Sequence, residues 1–329
     1  MSLVVTEQGH PSAPVAADRR MSDETRAKVA ASVPENTARS YRAQSRRFYA
    51  WCEREDWPAL PTTGDALAEY VAYLIKEGKA PGSIEVALSV IRSMHRLAGV
   101  VLPDTRAARL LVRAYRRDRV DAGIRDGQAP AAVATVIRAM LDTCDPRTTR
   151  GLRDRLLLLL GFAMMARRSE LARLDLADVV ETEQGLVVHI ARSKTDQAAA
   201  GREVAVPFAA RPDACPVRAF RAWSAHLAEL DITTGPLLRQ VDRHGNVGGR
   251  LGGQSIDRIV KRLGADAGLS DQMSAHSLRA GAATSAADAG ATRAAIAEQG
   301  RWNPTSNALD RYTRQTDRWK NHPLANVAI

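Results

Sequence analysis

Residues 274–314 bring together side chains able to handle a phosphate. Residues 274–281 read SAHSLRAG, 299–305 read QGRWNPT and 310–314 read DRYTR, so an imidazole, a guanidinium, an indole N–H and a phenol follow one another. His276 and Arg279 stand three apart, which makes them neighbours on one face of a helix. A permanently charged fork beside a ring that titrates near neutrality suits gripping a phosphate and moving protons around it, and the Tyr312 phenol can attack. The same spacing occurs on plain solvated faces, so the weight falls on what the chain places upstream.

Residues 166–171 read ARRSEL at the end of a long apolar stretch. Ser169 can cap the helix that follows, with Leu171, Leu174 and Leu176 as apolar contacts and Glu170 favoured at its positive N-terminal end. At such a junction Arg167 either projects into a cleft while the helix behind it is anchored, or stays a surface arginine. Residues 185–193 alternate and are β-branched, and 202–207 read as the return strand of a hairpin. The polar tip, 194–201, puts Lys194 at a strand end.

These groups need a scaffold, and 329 residues with 45% hydrophobic content exceed one typical core, so two domains are expected. The excess of 47 Lys and Arg over 37 Asp and Glu gives +10, which points to a polyanionic partner, with a solubility charge as the plain alternative. Aromatic residues at 5% favour contact to a duplex backbone over stacking on single strands. Cys52, Cys144 and Cys215 are scattered and odd in number, which argues against a disulfide framework or zinc knuckle and fits a reducing cytosol. No apolar run approaches the ~20 residues of a membrane span, and the first residues lack the order of a secretory signal. A place inside the cell is expected.

Residues 1–33 lack apolar periodicity and read as a mobile tail. A helix over 36–54 puts Tyr41, Phe48 and Cys52 on one side and Arg39, Arg42 and Arg46 on another, the latter either solvated or free to meet phosphates. A second helix is capped by Thr63 or Asp65 and ends before Gly78, with Leu67, Tyr70, Val71 and Leu74 inside. A third starts near Ser83 with Arg92 and Arg96 on its polar flank, and a fourth from Thr105 carries Leu111 and Tyr115. Together they make a small basic all-α domain over 34–118. A polar, glycine-bearing linker spans 119–130. Apolar periodicity restarts in a larger domain over 131–315, leaving an apolar tail at 316–329.

Collected in order, Arg167, Lys194, His276, Arg279, Trp302 and Tyr312 make a set that resembles the catalytic constellation of the tyrosine recombinases, the phage integrase family, with a layout similar to its Cre-type branch. The matching pieces are ARRSEL at 166–171, SKT at 193–195, HSLRAG at 276–281, GRW at 300–302 and RYT at 311–313. The likeness departs at Arg168, where the family usually has an apolar residue. The register set by Ser169, Glu170 and Leu171 favours Arg167, with a share for Arg168 left open. The resemblance implies a mainly α fold with a small β-hairpin or sheet. An N-terminal four-to-five-helix core-binding domain and an α+β catalytic domain would form a C-shaped clamp on DNA.

Breaking a phosphodiester without losing its energy needs a nucleophile that stays attached to one end, and a phenol of pKa about 10 is a sluggish attacker but a good later leaving group. Arg167 and Arg279 offer planar forks to the non-bridging oxygens, the electrostatic work a metal does elsewhere. Trp302 can donate its N–H to an anionic oxygen or pack the site closed. The resemblance further implies that His276 assists proton transfer or holds the phosphate, that Lys194 protonates the departing 5′-hydroxyl, and that Glu170 supports from behind. It implies no cofactor and no metal. The partners would be duplex DNA, met by Arg39, Arg42, Arg46, Arg92 and Arg96, and further copies of the chain, a dimer per site and a tetramer in synapsis, with the 316–329 tail docking on a neighbour. The expected activity is site-specific strand exchange through a 3′-phosphotyrosyl link. The alternatives are a type IB topoisomerase-like relaxation and a non-catalytic DNA-binding protein.

Overall fold

The computed structural model describes residues 35–124, 130–191, 201–269, 272–303, 309, 310 and 312, with four positions between 22 and 28. Lys194 and the expected tail at 316–329 lie outside the described residues, as does most of 1–33. The chain divides into two compact units at Gly127/Gln128.

The first unit contains α1 (Glu35–Arg54), α2 (Gly64–Lys76), α3 (Pro81–Ala98) and α4 (Arg106–Asp121). Its core is aromatic at one end, where Tyr70 meets Phe48 edge-on at 5.0 Å and Trp51 at 5.1 Å between centroids. Thr63 caps α2 by accepting from the Ala66 amide at 3.1 Å. Pro81 opens α3, whose last turn closes on Gly99 with a left-handed φ of 67°. Buried His95 accepts from the Thr62 amide through Nε2, so its Nδ1–H is left to donate to the Ile91 carbonyl. The structure departs from expectation at α4, whose inward face is Ala108 and Val112 while Leu111 is 36% exposed. That helix also continues to Asp121, past the boundary read at 118.

The second unit runs α5 (Ala134–Asp142), α6 (Thr149–Ala163), α7 (Arg168–Arg173), β1 (Val179–Thr182), β2 (Gly185–Ile190), β3 (Arg202–Pro207), α8 (Pro216–Glu229), β4 (Arg239–Val241), β5 (Val247–Arg250), α9 (Gly253–Asp266), α10 (Ala275–Asp288) and α11 (Arg293–Gly300). The sheet is antiparallel in the order β1-β2-β3, and β4 and β5 form a separate ribbon. The sequence reading held the last two strands of the sheet but neither β1 nor the ribbon, because Gly248 and Gly249 interrupt any alternation there.

Helix α6 is the central rod: Leu156, Leu157, Leu158 and Leu160 are fully buried. Its one buried ionic feature is satisfied on every side, since Asp154 takes both Arg153 and Arg262 while Arg153 also donates to the Arg239 carbonyl. Gly161 lets α7 and α10 come close, because a Cβ there would lie 3.1 Å from Leu171 and 3.0 Å from Leu278. Gly281 is tighter still. A Cβ on it would fall 2.0 Å from the Ala132 carbonyl oxygen, where the chain entering this unit is bonded to α10 through the Ala132 amide and Ser277 carbonyl. Among the described residues no helix is long and apolar enough to cross a membrane.

Candidate active site

The site is built on the carboxyl end of α6. A helix ends with carbonyls that lack intrahelical partners and carries a partial negative charge there, which favours cationic donors. Three successive carbonyls are taken by residues far along the chain: Ala163 by Gln299 Nε2 at 2.9 Å, Met164 by Arg301 Nη1 at 3.1 Å and Met165 by Arg279 Nη1 at 2.5 Å. Met165 turns the chain with a left-handed φ of 47°. Gln299 Nε2 also donates to the Ala205 carbonyl of β3 at 3.0 Å, which ties the sheet to the same point.

Next along the chain, Arg167 is the N-cap of α7, so the expected cap at Ser169 is displaced by two residues. The cause is Glu170, whose buried carboxylate reaches back to the Arg167 amide at 2.8 Å and its guanidinium at 2.7 Å. Glu170 Oε2 also accepts from Arg301 Nη2 at 2.6 Å. Burial alone would raise the Glu170 carboxyl, but the charge and hydrogen bond of Arg301, with the two donors of Arg167, bring it below the usual range. Arg168 pairs instead with Asp257 on α9, so of the two adjacent arginines only Arg167 joins Glu170.

Helix α10 carries the His276–Arg279 pair. Its start is fixed by the Ser274 amide on Ser277 Oγ at 3.1 Å and the Ala275 amide on Asp257 Oδ1 at 3.1 Å. Arg279 is 3% exposed, with Cζ 3.7 Å from the centroid of the Trp302 ring. Its Nη2 is buried with no hydrogen-bond partner. Burial, then the charge of Arg167, push this guanidinium down to about 9, which still leaves it charged at neutral pH. His276 faces solvent, yet the atoms packed beneath it, then Arg279, hold its pKa below the ordinary 6.5, with Asp257 opposing. Its Nε2 lies 2.7 Å from Tyr312 Oη.

Tyr312 is held by its own chain. Leu309 is buried with Met165, Ala282, Ala283, Ile296 and Ala297, Asp310 pairs with Arg293 at 2.9 Å, and Thr284 Oγ1 donates to the Tyr312 carbonyl at 3.2 Å. The Trp302 and Tyr312 rings sit 5.9 Å apart. Trp302 reaches this place by folding back over Gly300, where a Cβ would lie 1.8 Å from its Cζ3.

Thus Arg167, Glu170, His276, Arg279, Trp302 and Tyr312 come together, and Lys194 falls between β2 and β3 outside the described residues. In the first unit Arg39, Arg42, Arg46 and Arg96 are exposed and Arg92 is half-buried. Sequence reasoning passed over Gln299, Gly300 and Arg301. They stand in the QGRWNPT and GRW strings without a role, because an arginine in a left-handed C-cap is legible only once its partners are known. It also missed the solvent face of α9, where Gln254, Arg258 and Lys261 are exposed at helical spacing. Among the described residues no group of three or more His, Cys, Asp or Glu could hold a metal ion.

Residues 133–318 match the phage integrase family, more than half of the chain. The chain belongs to the phage integrase family. Over 313 residues it is 30% identical to the integrase/recombinase XerD homolog of Selenomonas ruminantium, covering 93% of this chain and 89% of the relative. It is 26% identical over 339 positions to recombinase Cre of Escherichia phage P1, covering 96% and 95%. A solved lambda integrase fragment, a dimer bound to a COC' core site, shares the fold at 17% identity with a TM-score of 0.57, covering 88% of this chain and 93% of that one. For this phage integrase family member, the mostly helical architecture with a small antiparallel sheet is as the sequence reading expected.

Proposed function

We propose that the chain is a site-specific DNA recombinase in which Tyr312 attacks a backbone phosphorus gripped by Arg167 and Arg279. The new bond joins the phenolic oxygen to phosphorus, the bond to the 5′ oxygen breaks, and a 3′-phosphotyrosyl link remains. The phenolic proton passes to neutral His276 Nε2, and the departing 5′ oxygen takes one from Lys194, the role the family resemblance implies. Attack by a 5′-hydroxyl from a second duplex releases the tyrosine and completes exchange. The Trp302 ring lies over the Arg279 guanidinium and shields it from water.

The observation that carries this reading is the Tyr312–His276 contact of 2.7 Å beside a buried arginine whose second nitrogen has no bonding partner. Buried charged donors are ordinarily satisfied, and an incoming anionic oxygen supplies what Arg279 lacks. Gln254, Arg258 and Lys261 on α9 are side-chain types that can read base edges in a groove, and the arginines of the first unit are suited to phosphates. By likeness to a lambda integrase dimer bound to a core site and a lambda integrase tetramer bound to a Holliday junction, two protomers would share a site and four would act in synapsis. The test is to map genomic DNA trapped covalently by the wild type and then place two copies of the mapped sequence on one plasmid. Wild type should exchange the flanks and Tyr312→Phe should not. Relaxation without exchange, or exchange by Tyr312→Phe, would contradict the reading.

A further inference from the structure

Arg301 stands in a left-handed conformation at φ 58°, where glycine is at ease and a side chain is disfavoured. Its guanidinium is nonetheless drawn inside, to 3% exposure. There it gives Nη2 to Glu170 and Nη1 to the Met164 and Gln299 carbonyls, and its own carbonyl accepts from Arg167 Nη2 at 2.9 Å. A disfavoured backbone together with a buried charge persists only where the surroundings over-determine both.

Charge balance supplies a reason. Glu170 is shared, with Oε1 on Arg167 and Oε2 on the Arg167 amide and Arg301. One carboxylate between two guanidiniums leaves the group positive. Without Arg301, Glu170 and Arg167 become a self-neutralising pair, and the attraction Arg167 offers a phosphate falls. We infer that Arg301 is a positioning residue for phosphate cleavage: it occupies Glu170 so that Arg167 stays oriented and its charge stays available to the substrate. This rests on the roles proposed above for Arg167 and Tyr312.

The experiment measures single-turnover cleavage of a nicked duplex of the mapped site carrying either a normal scissile phosphate or a methylphosphonate, in which a methyl replaces one anionic oxygen. DNA affinity and melting are measured separately. Arg301→Met should slow cleavage of the phosphate roughly 100-fold, the scale of losing one fixed charge donor at a transition state. Affinity should be largely retained, the deficit should shrink on the methylphosphonate, and Arg301→Lys should recover most of the rate. Should the Met variant not fold, Arg301→Gly, which suits the left-handed backbone, takes its place in the same comparison. Equal losses on both linkages, the mark of a packing defect, or a wild-type rate from a folded variant would overturn the inference. A wild-type chain that forms no adduct would sink the recombinase reading and this inference with it.

Discussion

The arginines of the active site and those of the first unit are held in opposite ways. In the active site, Arg279 and Arg301 are each 3% exposed and Glu170 2%, and their partners are backbone carbonyls and one another. In the first unit, Arg42, Arg46 and Arg96 stand exposed. Burying an unpaired charge costs several kcal/mol, and geometry must offset it, so a buried cluster is a device for holding charges at fixed points. Charges in water are screened within about 8 Å at physiological salt and serve attraction at the cost of precision. Under the proposed function, the buried cluster would set the rate of cleavage and the exposed arginines of the first unit a salt-dependent share of affinity.

The contrast can be broken most forcefully at Arg279. Arg279→Met should slow single-turnover cleavage by about 10²–10³ while gel-shift affinity changes little. A loss that appears in affinity alone would put Arg279 on the wrong side of the comparison. Gly281→Ala should come next, through stability, since its Cβ would lie 2.0 Å from a backbone oxygen. A cost of about 1–3 kcal/mol or more is expected, visible as a lower melting temperature, and an unchanged melting curve would count against the packing described.

pH sharpens the same contrast. His276 must be neutral to accept the phenolic proton, and its pKa lies below 6.5. Cleavage should therefore persist as pH falls through 6.5 and fail only beneath it, and a midpoint above that value would contradict the site electrostatics. The smallest effects belong to the first unit. Arg42→Ala and Arg46→Ala should each weaken DNA binding modestly and lower the slope of log affinity against log salt by about 1. A cleavage defect at saturating DNA as large as that of Arg279→Met would erase the distinction between the units.

Much of this scaffold was legible because local chemistry decides it. Thr63 as a cap and Gly78 after a helix end act within a few residues of themselves, so α2 could be read directly, and α3 was placed only two residues late, near Ser83 where it opens on Pro81. The site residues were legible as side-chain types in order. What could not be read was who holds them, because the partners are distant: Arg279 bonds Met165, Gln299 bonds Ala163, and Arg301 bonds Glu170. Ser169 looked like a cap because serine is a common cap residue and arginine is not, although Glu170 stands three residues on, where an N3 side chain reaches back to the Arg167 amide. Leu111 was singled out on the fourth helix where Val112 fills the core, because a helical stripe seen in one sequence fixes the face only to within a residue or so.

The most direct measurement is of the covalent bond itself. Wild type is trapped on the nicked duplex, digested with protease, and the peptide bearing nucleotide is sequenced by mass spectrometry. One modified peptide is expected, with the 3′ phosphate on Tyr312. A nucleotide attached to any other residue, or a trapped strand carrying its phosphate at the 5′ end, would contradict this assignment.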